Sequence, residues 1–199
     1  IEQDQDVRVP PFVIEAVPER KARPKPLDLA LVEELMDRVL YEDKDILAID
    51  KPAGLAVQGG SGTTRHLDGA LDGLKRGATE RPRLVHRLDK DTSGVLLLAR
   101  NVAAARWLTA RFRERETRKL YWALVAGVPK PKVGEIDLDI IKRAGSSGER
   151  VEVDEAVGKR ALTSYRVLDH AGRTAAWLAL EPHTGRTHQL RVHAAEGLN

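Results

Sequence analysis

The sequence predicts an α+β fold, with a mixed, mainly antiparallel sheet flanked by helices. Two observations lead there: apolar segments of strand length arrive in groups, and the connections between them are short, which favours antiparallel pairing. A third is that few segments carry helical periodicity. At 199 residues, 42% of them hydrophobic, the chain is long enough to build a substantial core, and it contains no internal repeat.

Residues 1–27 are rich in proline and lack sustained periodicity, so they are expected to form an extended tail or linker. The chain begins at Ile1 without a methionine, and further sequence is expected before it. From residue 28 the pattern is globular. Leu29 to Val39 reads as a helix, and "VLYEDKDILAID" as two short strands around an Asp43-Lys44-Asp45 turn. "KPAGLAVQGGSGT" follows as loop, strand and glycine-rich loop. Leu67, Ala70, Leu71 and Leu74 fall at helical spacing, with Thr64 as cap and Gly77 as stop, although Gly69 and Gly73 weaken that helix.

Val95 to Ala99 reads as a buried strand. Ala104, Trp107, Leu108 and Phe112 form one apolar face of the next helix, whose other faces carry Arg106, Arg111, Arg113 and Arg115. "KLYWALVAG", "GEIDLDI", "ERVEVDE", "ALTSYRVL" and "TAAWLALEP" supply five more strands. "THQLRVHAAEG" closes the chain as a helix, capped by Thr187 and ended by Gly197.

Composition removes several classes of function. With no cysteine there is no disulfide, thiolate catalysis or cysteine-ligated zinc. No apolar run approaches the roughly 20 residues that span a bilayer, and the N-terminal residues lack the order of a signal peptide. No membrane association is expected, and a cytoplasmic location is. The net charge is only +3, but residues 81–121 hold eleven Lys/Arg against four Asp/Glu, a local balance of +7 that leaves −4 for the remainder. Such a segment suits a polyanion-binding face, and equally an ordinary solvated helix face.

Several motifs fail on inspection. "DKDTSG" imitates the start of a calcium loop, but the twelfth position is Arg100 and Val95 to Ala99 offer no ligands. "GLAVQGGS" has phosphate-loop glycine spacing with Gly60 where lysine is required. Ser93 lacks the flanking glycines of a nucleophile elbow. His183, His188 and His193 recur every five residues, which on a helix turns successive side chains about 140° apart. No metal site is expected from them.

Two polar patches remain, "HRLDKDTSG" and "EPHTGRTHQLRVH". Each sets arginine beside a glycine that permits close backbone approach, and an aspartate near a guanidinium stays ionised, able to act as nucleophile or base. Spacing alone names no reaction. Asp89 also fits a turn, His86 a hydrogen-bonded structural group, Tyr121 a core aromatic and Arg191 an exposed helix residue.

"HRLDKDTSGVLLLAR" resembles the signature H-R-L-D-x-x-T-S-G of the RluA-type family of RNA pseudouridine synthases. "DKPAGLAVQGGSGT", "KLYWALVAG" and "PHTGRTHQLRVH" resemble its other motifs in the same order, together covering nearly all of residues 38–199. The "VRVPP" tail and "VQGGSG" loop look most like the RluC branch, which modifies large-subunit (23S) ribosomal RNA. The resemblance implies a sheet split by a central RNA-binding cleft, and isomerisation of uridine to pseudouridine with no cofactor and no metal. It assigns Asp89 as the catalytic nucleophile, attacking either ribose C1′ or the uracil ring. Tyr121 becomes the aromatic packed on the target base, Arg191 the partner of the aspartate, and Arg87 the side chain that enters the RNA stack. Arg111, Arg115, Lys119 and Arg186 are the expected further RNA contacts. Asp91 is left with a loop-structuring role.

The family continues beyond a stretch like "VHAAEGLN", and an RNA-binding module of the S4 type commonly precedes it. The expectation is therefore a catalytic domain at 28–199, truncated at its C-terminus, following an S4-like domain and acting as a monomer on ribosomal RNA. A catalytically silent RNA-binding domain and a metal-dependent hydrolase built on the histidines are the alternatives.

Overall fold

The computed structural model describes residues 26–60, 62–114, 117–145 and 148–198. Nearly all of the expected N-terminal tail lies outside these residues. Among them, no helix is long and apolar enough to cross a membrane.

The first half of the chain builds a four-stranded sheet. Helix α1 (Leu29–Met36) starts where the Asp28 carboxylate accepts the Leu31 amide at 3.0 Å. It ends three residues short of the expected Val39, because Val39 opens strand β1 (Val39–Glu42) and pairs with Ile49 of β2 (Ile46–Lys51). Asp43 closes that hairpin, its Oδ1 accepting the amides of Asp45 and Ile46 at 2.8 and 2.6 Å. Strand β3 (Arg83–Leu84) and strand β4 (Gly94–Ala99) complete the sheet in the order β1-β2-β4-β3, antiparallel throughout.

Helix α2 (Leu67–Ala70) and the 3-10 turn Leu71–Leu74 cover this sheet together with α1. The cap of α2 is His66, whose Nδ1 accepts the Gly69 amide at 3.1 Å, and not the expected Thr64. Gly73, which on propensity counts against a helix, is needed here: a Cβ would collide with the Val32 side chain of α1. Leu31, Leu35, Leu47, Ile49, Leu71, Leu96 and Leu98 form the first core.

Strand β4 alternates as a strand with two covered faces must. Leu96 and Leu98 point into that core, while Leu97 and Ala99 face helix α3 (Val102–Arg113). The expectation of a wholly buried strand fails at Val95, 58% exposed, because α3 packs over the other end of β4. Asn101 caps α3, its Oδ1 accepting the Ala104 amide at 2.8 Å. Trp107 also departs from expectation, being 59% exposed. At 100° per residue it lies well off the stripe of Ala104, Ala105, Leu108 and Phe112 that packs inward.

The second half forms a five-stranded antiparallel sheet, in the order β5-β9-β8-β6-β7. Its strands are β5 (Tyr121–Ala126), β6 (Val133–Gly145), β7 (Gly148–Val153), β8 (Lys159–Ala171) and β9 (Ala175–Pro182). Ile136, Tyr165, Ala176, Leu178 and Leu180 make its core, and helix α4 (Gln189–Glu196) packs on it through Leu190 and Val192. The fold is thus α+β, with antiparallel sheets flanked by helices.

Gly94, at the entry to β4, has φ +115°, where an L residue is strained. Nothing lies within 4 Å of the position a Cβ would take, so the strain is purely that of the backbone. Gly94→Ala is expected to destabilise the chain by about 1–3 kcal/mol, measured as a lower urea midpoint with an unchanged m-value.

Candidate active site and RNA interface

The two sheets leave a cleft between them. One wall is the 85–93 loop joining β3 to β4; the other is Tyr121 at the head of β5, the 182–188 turn and the start of α4. Arg87, Asp89, Lys119, Tyr121, Arg186 and Arg191 all line it, brought together from three distant segments. Four of these six are cationic, so the cleft attracts polyanions while keeping one carboxylate in its lining.

Asp89 sits in a turn fixed by its own carbonyl, which accepts the Thr92 amide at 3.1 Å. Its Oδ2 lies 3.9 Å from Arg191 Nε and 3.9 Å from His188 Nε2. Arg191 is closer to Asp91: its Nη2 donates to Asp91 Oδ2 at 3.2 Å. The reading that leaves Asp91 only a loop-structuring part is therefore incomplete, since its side chain is what Arg191 grips across the cleft.

The expected Thr187 cap of α4 is replaced by His188, which has φ +51° and makes no side-chain cap bond. A non-glycine residue in this region costs of order 1 kcal/mol or more. The cost is borne because the backbone is held on both sides. Gln189 Oε1 accepts the Arg186 amide at 3.0 Å and the Thr184 hydroxyl at 2.7 Å, and its Nε2 donates to Leu162 O and Thr163 Oγ1. Gln189 is buried, and this network was not legible in the sequence because all four partners are set by folding.

Burial, and then the Asp89 charge, raise the Tyr121 pKa, so its phenol stays protonated in the cleft. His86, at the back of the cleft, stacks on Phe112 with centroids 4.4 Å apart. Its Nε2 accepts the Leu97 amide of β4 at 2.9 Å, a bond only the neutral ring can make. Burial, reinforced by the Lys119 ammonium, pushes its pKa down from 6.5 to about 4.

A depressed histidine pKa means that the unfolded chain takes up the proton first. Its contribution is fully present above pH 6.5 and is lost as pH falls towards about 4. The loss expected over that window is about 3 kcal/mol. Denaturant titrations from pH 7 to 4 should show it, and His86→Phe should flatten the profile.

The remaining expectations fare unevenly. Arg111 lies on α3 beside Glu114 at 3.3 Å and over the Trp107 ring, next to the cleft-lining Phe112 but not itself among the lining residues. Arg115 falls outside the described residues. The three histidines occupy separate surroundings: His183 contacts Ser164 Oγ at 2.6 Å, His188 faces Asp89, and His193 is buried in α4. Among the described residues no group of three or more His, Cys, Asp and Glu is placed to hold a metal ion. Lys51, within "DKPAGLAVQGGSGT", is fully buried behind the Asp89 loop.

Residues 45–196 match the family model described as RNA pseudouridylate synthase. An uncharacterised RNA pseudouridine synthase of Zymomonas mobilis is 46% identical over 166 residues, covering 82% of this chain and 74% of the relative. Ribosomal large subunit pseudouridine synthase C of Escherichia coli is 40% identical over 195 residues, covering 97% of this chain and 59% of the relative. The mitochondrial RNA pseudouridine synthase 4 of Arabidopsis thaliana is 42% identical, and the chain spans 38% of its length. Among solved structures, human RNA pseudouridylate synthase domain containing 4 superposes with a TM-score of 0.73 at 32% identity, over 85% of this chain and 67% of that one.

Proposed function

The chain belongs to the RNA pseudouridylate synthase family, and from that premise we propose that it isomerises specific uridines to pseudouridine in large-subunit (23S) ribosomal RNA, with Asp89 as the nucleophile. The observation that carries the reading is the convergence of Asp89, Tyr121, Arg191 and Arg87 on one cationic cleft. The RNA target is supported by relatives such as that of E. coli, which is named for the large ribosomal subunit.

In this reaction the C1′–N1 bond breaks, a C1′–C5 bond forms, a proton leaves C5 and N1 regains one. Composition and oxidation state are unchanged, so the step needs no oxidant, reductant or second substrate. The Asp89 carboxylate attacks ribose C1′ or the uracil ring, and Arg191 steadies it. A uridine inside a helix cannot reach this carboxylate, so the nucleotide leaves the stack at a cost of a few kcal/mol. Arg87, exposed on the cleft wall, fills the gap it leaves. Tyr121 stacks on the extruded base, a contact worth about 1–3 kcal/mol. Lys119 and Arg186 hold phosphates on either side, which makes affinity salt-dependent. The protein acts as a cytoplasmic monomer.

Incubation with unmodified 23S ribosomal RNA, followed by mapping of pseudouridine, tests the proposal. Discrete new sites are expected. RNA binding with no product would return the cleft to the silent-binder reading.

A further inference from the structure

Lys51 ends strand β2 opposite Gly94 and is completely inaccessible to solvent. Its Nζ lies 2.9 Å from Pro52 O, 2.8 Å from Leu55 O and 3.0 Å from Lys90 O. Three acceptors around one nitrogen suit an ammonium, which has three hydrogens to donate; a neutral amine would leave one buried carbonyl unsatisfied. A lysine is seldom wholly buried unless its charge is answered. Burial lowers its pKa, while the charges of Asp91 and then Asp89 oppose that shift. The third of its bonds reaches 39 residues along the chain to the carbonyl of Lys90, the residue that follows Asp89.

Resting on the function proposed above, we infer that Lys51 is the positioning residue for Asp89. Its buried ammonium ties the Lys90 carbonyl to the 52–55 turn and so fixes the nucleophile's loop from behind. The loop between β3 and β4 is also held by the His86–Leu97 bond near its start, by the Thr92–Asp89 turn and by the Arg191–Asp91 contact, which is solvent-exposed. Lys51 grips the residue next to Asp89 from a position that water does not reach.

The test is Lys51→Met, which keeps the length and removes the donors. In the full chain, hydrogen exchange at the Thr92 amide should quicken about tenfold or more, while the Leu97 amide, in the same sheet but bonded to His86, keeps its protection. The isomerisation rate kcat should fall roughly 10- to 100-fold with KM for RNA within about threefold, as expected for a misplaced reacting group. Unchanged Thr92 exchange, or an unchanged kcat in a folded variant, overturns the inference. A wild type that makes no pseudouridine overturns the function instead, and the exchange measurement still decides the role of Lys51. Should the variant fail to fold, the Nζ resonance of wild-type Lys51 decides: a slowly exchanging ammonium at neutral pH is expected, and a neutral amine is fatal to the idea.

Discussion

Asp89→Asn is expected to abolish isomerisation, by roughly 10⁴-fold or more in single-turnover rate, the scale lost when a covalent nucleophile is removed. Binding of the same RNA should change little. The substitution is nearly isosteric, and the turn that shapes the loop uses the Asp89 backbone carbonyl, which remains. Among the described residues the carboxylate's nearest charged neighbours, Arg191 and His188, stand 3.9 Å away, beyond hydrogen-bond reach, so little folding energy depends on it. Rate and affinity should therefore separate cleanly. Parallel measurement of pseudouridine formation and of RNA binding by anisotropy checks this, and undiminished product from the variant removes Asp89 from the chemistry.

Arg191→Leu should lower kcat by roughly 10²- to 10³-fold, the range found when a preorganised electrostatic partner is withdrawn. Arg191 bridges two carboxylates of one loop, Asp91 at 3.2 Å and Asp89 at 3.9 Å. Without it both face an open cleft with no guanidinium to orient them. Stability should shift by less than about 1 kcal/mol, because the pair is solvent-exposed. Asp91→Ala separates the two duties of the arginine. It frees Arg191 from its nearer anchor while leaving the charge beside Asp89, so a smaller loss of about tenfold is expected. Equal losses from the two variants would mean that Asp91, and not Asp89, is the partner through which Arg191 acts.

Much of the fold was legible because its causes are local. Apolar runs located β1, β2 and β4 to β9, and Asp43 announced its turn by residue type alone; the two-residue β3 was not foreseen, and the strand expected within "KPAGLAVQGGSGT" is only isolated bridges. Gly197 ends α4 as its residue type announced. Expectations failed where a neighbour from elsewhere intervened. Helix α1 stops early because Val39 is taken by Ile49, Trp107 is outside because the sheet meets α3 along a different stripe, and Val95 is bare because α3 does not extend over it.

The candidate site divides the same way. By itself the sequence determined which residues are available for chemistry: an aspartate followed by a glycine-terminated loop, an arginine-rich neighbourhood, and an aromatic at the head of a strand, recognised through motifs whose order is a property of the chain. Only the tertiary structure decided how they meet. It set Arg191 against Asp91, one hundred residues away, put His188 in a left-handed conformation facing Asp89, and sank Lys51 behind the loop. The reason is physical. Periodicity reports which side chains share a face of one element, whereas these contacts depend on how segments from two separately cored sheets meet around a cleft, a geometry that no local pattern encodes.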